Sequence, residues 1–145
     1  EIYMAISARN VFAGTVSEIR EGAVNAEVSL SITGGDVIVA TVTLDSLKAL
    51  GLSVGKTVTA FVKAPSVMVV TGDDSVCYSA RNHLKGLVSE LKTGAVNSEV
   101  VVKLAGGSEV KAIITNDAVT DLGLVVGSAA SVLFKAGSVI LGVSA

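Results

Sequence analysis

The chain has 145 residues, half of them apolar, with 11 Lys and Arg against 13 Asp and Glu, a net charge of −2 and a pI near 5.3. That balance, with three Phe, two Tyr and no Trp, argues against a nucleic-acid interface, which stacks aromatics in a basic groove. The longest run free of charge and proline, Leu122 to Phe134, has 13 residues and falls short of the about 18–20 that a membrane span needs. A single cysteine, Cys77, leaves no internal disulfide and fits a reducing compartment, and no basic segment leading into an apolar one resembles a secretory leader.

Taken in chain order, Val- and Ile-rich runs punctuated by Gly, Asn and Ser predict strands at 7–20, 23–32, 36–44, 57–63 and 66–71. Gly34-Gly35 reads as the hairpin turn between the second and third. A short helix is expected at 45–50, with Asp45 capping its start and Gly51 at its stop. Thr71 to Cys77 is a polar connection, and the same plan then repeats with Asp117 and Gly123 in the helix roles. The expected division is a first domain at 5–71, a linker at 72–77 and a second domain at 78–143. Five strands and one short helix per unit indicate an all-β chain of two tandem OB-type Greek-key barrels.

The repeat is explicit. Ser7-Ala8-Arg9-Asn10 returns as Ser79-Ala80-Arg81-Asn82, Gly22-Ala23-Val24-Asn25 as Gly94-Ala95-Val96-Asn97, and Lys63-Ala64-Pro65-Ser66 as Lys135-Ala136-Gly137-Ser138, always 72 residues on. Over the 66 aligned positions 28 are identical, so the chain is two copies of one unit. A unit of that size buries only about 60% of its unfolded surface and is marginal alone. With a mean hydropathy of +0.70, the surplus apolar surface is expected between the copies and between chains, in a homo-oligomer.

Both copies kept glycines and a set of hydrogen-bond donors: Ser7/Ser79, Arg9/Arg81, Asn10/Asn82, Asn25/Asn97, Thr43/Thr115, Lys63/Lys135 and Ser66/Ser138. Exposed positions such as Lys48 and Lys56 drifted to Thr120 and Ser128. Hydroxyls, amides and cations gathered in turns suit a small tetrahedral oxyanion, each charge-assisted bond contributing about 1.5–3 kcal/mol. The plainer alternatives stay open: Arg9 and Lys63 as solvated charges, Ser7 and Ser66 as turn residues, Thr43 as part of the helix cap, Asn25 as a turn residue, and Glu27 as a cross-strand partner of a basic side chain. Catalysis has little support. His83 faces Val11 in the other copy and Cys77 lies in the linker, so neither belongs to the common plan.

These motifs together resemble the Mop domain: Ile6-Ser7-Ala8-Arg9-Asn10 with Gly14, then Gly22-Ala23-Val24-Asn25-Ala26-Glu27-Val28, Gly34-Gly35, Leu50-Gly51-Leu52 and Val62-Lys63-Ala64-Pro65-Ser66-Val67. The chain is similar to the molbindins of the tandem-Mop kind. The resemblance implies a cytoplasmic, non-enzymatic protein that binds molybdate or tungstate for molybdenum storage and homeostasis, as a homotrimer with oxyanion sites between subunits, without nucleic-acid or membrane partners and without direct side-chain ligation of a metal. Carried over by position, the oxyanion residues are Ser7, Ala8, Arg9, Asn10, Thr43, Lys63, Ala64 and Ser66, and Ser79, Ala80, Arg81, Asn82, Thr115, Lys135, Ala136 and Ser138. A second type of site draws on Val24, Asn25, Val96 and Asn97. Gly137 in place of Pro65 is expected to loosen the second lysine loop. Mop domains also occur in molybdate transporters and transcription regulators, so a regulatory sensing module is the alternative.

Overall fold

The computed structural model describes residues 6–72 and 75–144. The first copy runs β1 (Asn10–Glu21), β2 (Asn25–Ile32), β3 (Val37–Thr43), α1 (Leu44–Ala49), β4 (Thr57–Val62), a 3-10 turn (Ala64–Ser66) and β5 (Met68–Val70). The second runs β6 (Asn82–Thr93), β7 (Asn97–Leu104), β8 (Glu109–Thr115), α2 (Asn116–Leu122), β9 (Ala129–Phe134), a 3-10 turn (Ala136–Ser138) and β10 (Ile140–Gly142). The strands alternate as half-buried strands must: Ala26, Val28, Leu30 and Ile32 of β2 and Val58, Ala60 and Val62 of β4 all face the core. The result is an all-β chain of two OB-type barrels.

Each barrel is an antiparallel five-stranded sheet, but its fifth strand comes from the other copy. The orders are β10-β4-β1-β2-β3 and β5-β9-β6-β7-β8. Met68 and Val70 of β5 pair with Leu133 and Ser131 of β9, while Ile140 and Gly142 of β10 pair with Phe61 and Thr59 of β4. The two copies therefore interlock, and the expected fifth strand at 66–71 leaves its own unit. The first 3-10 turn packs on β8 and the second on β3, which brings β5 beside β8 and β10 beside β3 and curls each sheet toward closure. Of the expected linker at 72–77, residues 73 and 74 lie outside the described residues, as does residue 5.

Several retained residues are explained by this frame. The first strand of each copy carries a β-bulge, between Val16 and Glu18 and between Val88 and Glu90. The extra residue is serine both times, and its hydroxyl donates to the facing strand, Ser17 to Ser29 O at 3.2 Å and Ser89 to Val101 O at 3.3 Å. The two β2–β3-type hairpins meet back to back. A Cβ on Gly34 would stand 2.0 Å from Gly106 O, and one on Gly106 2.6 Å from both Gly34 O and Asp36 Oδ2. Gly34 also has φ +90°, so close approach and backbone conformation both require glycine. The helix starts differ from expectation. Thr43 and Thr115 are the N-caps, accepting from Ser46 N and Ala118 N at 3.1 Å. Asp45 and Asp117 instead sit in the first turn, where a negative charge meets the positive end of the helix dipole. Gly51 and Gly123 end the helices with φ near +60°, as expected.

Candidate functional site

The structure sorts the retained donors into two classes. In the first class the polar groups are consumed by the fold. Asn10 and Asn82 are buried, and each carboxamide makes a two-way bond to the backbone of the other copy: Asn10 with Lys111 N and O at 2.7 and 2.8 Å, Asn82 with Val39 N and O at 2.8 Å each. Both ends of each carboxamide are thus engaged by backbone groups. β3 and β8 are edge strands, and their outward backbone groups would otherwise lie unsatisfied in the junction between copies.

The arginines are paired as well. Arg81 Nη1 donates to both carboxylate oxygens of Glu27 at 2.7 Å, and Arg9 pairs with Glu99, again across copies. The retained Glu27 and Glu99 are thus partners of the retained Arg81 and Arg9. Both members of each pair are kept at the 72-residue spacing. The hydroxyls of Thr43 and Thr115 accept at the helix N-termini, and that of Thr43 also donates to Ser46 Oγ at 3.0 Å. The cap alternative describes both threonines.

In the second class are Lys63, Ser7 and Ser66, and Lys135, Ser79 and Ser138. None of these six side chains bonds another described residue. Asn10 faces Val62 and Asn82 faces Phe134, so the next residues along each pair are Arg9 with Lys63 and Arg81 with Lys135. Ala64 and Ala136 fix the lysine turns by burying their methyls, and Ser66 N and Ser138 N close the turns onto Lys63 O and Lys135 O at 2.9 and 3.0 Å. The turn with Gly137 has the same geometry as the turn with Pro65. Lys63 has φ/ψ of −72°/134° and Lys135 of −70°/143°.

The strand exchange regroups the expected residues. Within one chain Thr43 lies beside the second copy's turn, sharing a cavity of about 230 Å³ with Ser46, Gly137 and Val139. Ser79, Ala80 and Lys135 line a cavity of about 430 Å³. Arg9 lines another of about 430 Å³ with Asn97 and Glu99, so a residue of the first expected site type meets the Val96-Asn97 turn of the second. Val24 and Val96 are the exposed tips of their turns, which are latched to the helix starts by Leu44 N to Val24 O at 3.0 Å and Asn116 N to Val96 O at 2.9 Å. Cys77 is exposed, and His83 stands edge-on to Tyr78 with ring centroids 5.8 Å apart.

A model of the TOBE domain matches the chain twice, at residues 6–69 and 78–141. A solved structure of the cytoplasmic molybdate-binding protein ModG with molybdate bound superposes with a TM-score of 0.93 at 52% identity, covering 97% of this chain and all of that one. The molybdenum transport protein ModE of Herbaspirillum seropedicae is 42% identical over 97% of this chain, and the molybdenum-pterin-binding protein MopA of Rhodobacter capsulatus 41% identical over 95%. The chain spans about half, 52%, of the length of each of these two relatives.

Proposed function

Because the chain belongs to the TOBE-domain family and carries the domain twice, in the tandem Mop form, we propose that it binds molybdate and tungstate in the cytoplasm and acts as a non-enzymatic store that buffers molybdenum. The observation that carries this reading is the duplicated set of cation and hydroxyls, Lys63 with Ser7 and Ser66 and Lys135 with Ser79 and Ser138. These groups are kept in both copies, are unpartnered among the described residues, and sit on a chain 52% identical to a protein seen with molybdate bound. Fixed hydroxyl and ammonium donors read the charge and oxygen positions of a tetrahedral dianion. Arg9, Arg81, Asn10, Asn82, Thr43 and Thr115 hold those donors in place.

The sites lie at interfaces of a homotrimer. Support comes from the apolar side chains left outside the barrels: Val24, Val54, Val96, Val125 and Val126 are each more than 60% exposed. A second copy closing over the lysine turns would exclude water and strengthen each charge-assisted bond. The Val24-Asn25 and Val96-Asn97 turns form the second type of site near the symmetry axis. The similarity to ModE supports a second reading, a molybdate-sensing module that acts on a transporter or regulator.

Equilibrium dialysis of the washed protein against molybdate, with metal analysis and sedimentation in the same buffer, tests the reading. Stoichiometric molybdenum on an oligomer is expected. A stable monomer at micromolar concentration that retains no molybdenum would refute it, and specific co-purification with a transporter or regulator would favour the sensing module.

A further inference from the structure

The two copies hold their first hairpin turn in different ways. In both, the turn is closed by its own backbone, Gly22 N to Asn25 O at 2.7 Å and Gly94 N to Asn97 O at 2.9 Å. In both, the first residue of the helix donates its N–H to the turn, Leu44 N to Val24 O and Asn116 N to Val96 O. Only the second copy adds side chains to this frame. The Asn116 carboxamide donates from Nδ2 to Gly94 O at 3.0 Å, and its Oδ1 accepts from the Ser98 hydroxyl. Ser98 is buried. With its oxygen engaged by Ser98, the carboxamide presents its NH₂ group to the turn. The corresponding residues 72 positions earlier are Leu44 and Ala26, which can make neither bond. These bonds all lie within one chain and do not depend on a second copy covering the turn.

We propose that Asn116, oriented by Ser98, is a positioning residue for oxyanion binding at the Val96-Asn97 turn. It holds that turn in its binding geometry, whereas the Val24-Asn25 turn has to be ordered by the anion. The inference rests on the reading above that these turns form the second type of site. Gly94 is pinned on both sides, its N–H by Asn97 and its carbonyl by Asn116. The turn therefore has less freedom to lose when an anion arrives, and a preorganised site keeps more of its contact energy as affinity. A held turn also cannot contract around a smaller tetrahedron, so sulfate is rejected more strongly there than at Val24-Asn25. Helix capping does not account for the asparagine. Thr43 caps α1 beside Leu44 just as Thr115 caps α2 beside Asn116.

Asn116→Leu with Ser98→Ala gives the second copy the pair with which the first copy already folds, Leu44 packed on the core and Ala26 buried within it. Calorimetric titration with molybdate and sulfate tests the exchange in a Lys63→Ala, Lys135→Ala background, where the turn sites remain. Molybdate is expected to bind there about three- to tenfold more weakly, with a smaller preference over sulfate and faster amide exchange at Val96 and Asn97. With Lys63 and Lys135 restored, the lysine-turn sites should bind as before. The reverse exchange, Leu44→Asn with Ala26→Ser, should strengthen turn-site binding and sharpen the preference. Unchanged affinity and unchanged preference in both exchanges would overturn the inference, and a loss of thermal stability alone would leave the Asn116 latch a purely structural one. No turn-site binding in the lysine double variant, beside normal binding by the parent protein, would overturn the inference together with the second type of site and leave the storage function standing. A parent protein that binds no molybdate would refute the storage function and this inference with it.

Discussion

Asn82 and Val39 are joined by two hydrogen bonds of 2.8 Å, the Asn82 carboxamide donating to the Val39 carbonyl and accepting from its N–H. Asn10 and Lys111 repeat the arrangement on the other side of the molecule. In each case a side chain acts as one rung of a β-ladder, closing an edge strand that belongs to the other copy. The residue directly before each asparagine is the arginine paired with a glutamate of the other copy. The start of each Ser-Ala-Arg-Asn motif is thereby fixed to the barrel it does not belong to.

Replacing Asn82 by alanine would leave the Val39 N–H and carbonyl buried without partners. Each such group costs about 1–3 kcal/mol, so Asn82→Ala is expected to lower stability by about 2–4 kcal/mol. Asn10→Ala should show a similar loss at Lys111. Urea unfolding would show a drop in midpoint for both variants, and an unchanged midpoint would contradict the clamp.

Lys63→Ala and Lys135→Ala are expected to weaken molybdate binding tenfold or more, because a charge-assisted bond contributes about 1.5–3 kcal/mol. Lys48→Ala should have no effect on binding. Lys56 bonds Leu50 O at 2.9 Å, across the end of α1, so Lys56→Ala should touch stability slightly and affinity not at all. Calorimetric titration of the four variants separates these outcomes.

Arg81→Ala removes a guanidinium whose side chain is half exposed and already paired with Glu27. An ion pair of that exposure contributes about 0–1 kcal/mol. The variant should therefore lose little stability and less molybdate affinity than Lys135→Ala. A larger affinity loss at Arg81 than at Lys135 would show that the arginine leaves Glu27 to meet the anion.

Gly137→Pro should stabilise the chain by about 0.4–1 kcal/mol, because the Pro65 turn already shows that the same backbone accepts proline and the gain comes from the unfolded chain. Molybdate affinity should stay the same, since the two turns have one geometry. Thermal unfolding and titration of the same variant check both halves of the expectation.

Molybdate and tungstate should bind with similar affinity, and sulfate on the order of a hundredfold more weakly. A smaller tetrahedron stretches some bonds in a rigid site, and each donor left unpaired costs about 1–3 kcal/mol. Displacement of bound molybdate by sulfate as readily as by tungstate would contradict a preformed cavity.

The sequence by itself determined the strands, the hairpin at Gly34-Gly35, the two short helices and the duplication, because period-2 burial, turn glycines and caps are local properties of the chain. It also singled out the residues that matter by keeping them in both copies. Sequence did not separate the lysines and serines from the arginines and asparagines, since all of them donate hydrogen bonds and all were retained. Only the tertiary structure decided that Asn10 and Asn82 act as backbone rungs and that Arg9 and Arg81 face Glu99 and Glu27, because those partners lie 43 to 101 residues away. The exchange of β5 and β10 was equally out of reach of the sequence. Met68-Val69-Val70 and Ile140-Leu141-Gly142 are three-residue apolar strands with nothing in their pattern to choose between β4 and β9. The choice is made where the 3-10 turns pack, each on the edge strand of the opposite barrel.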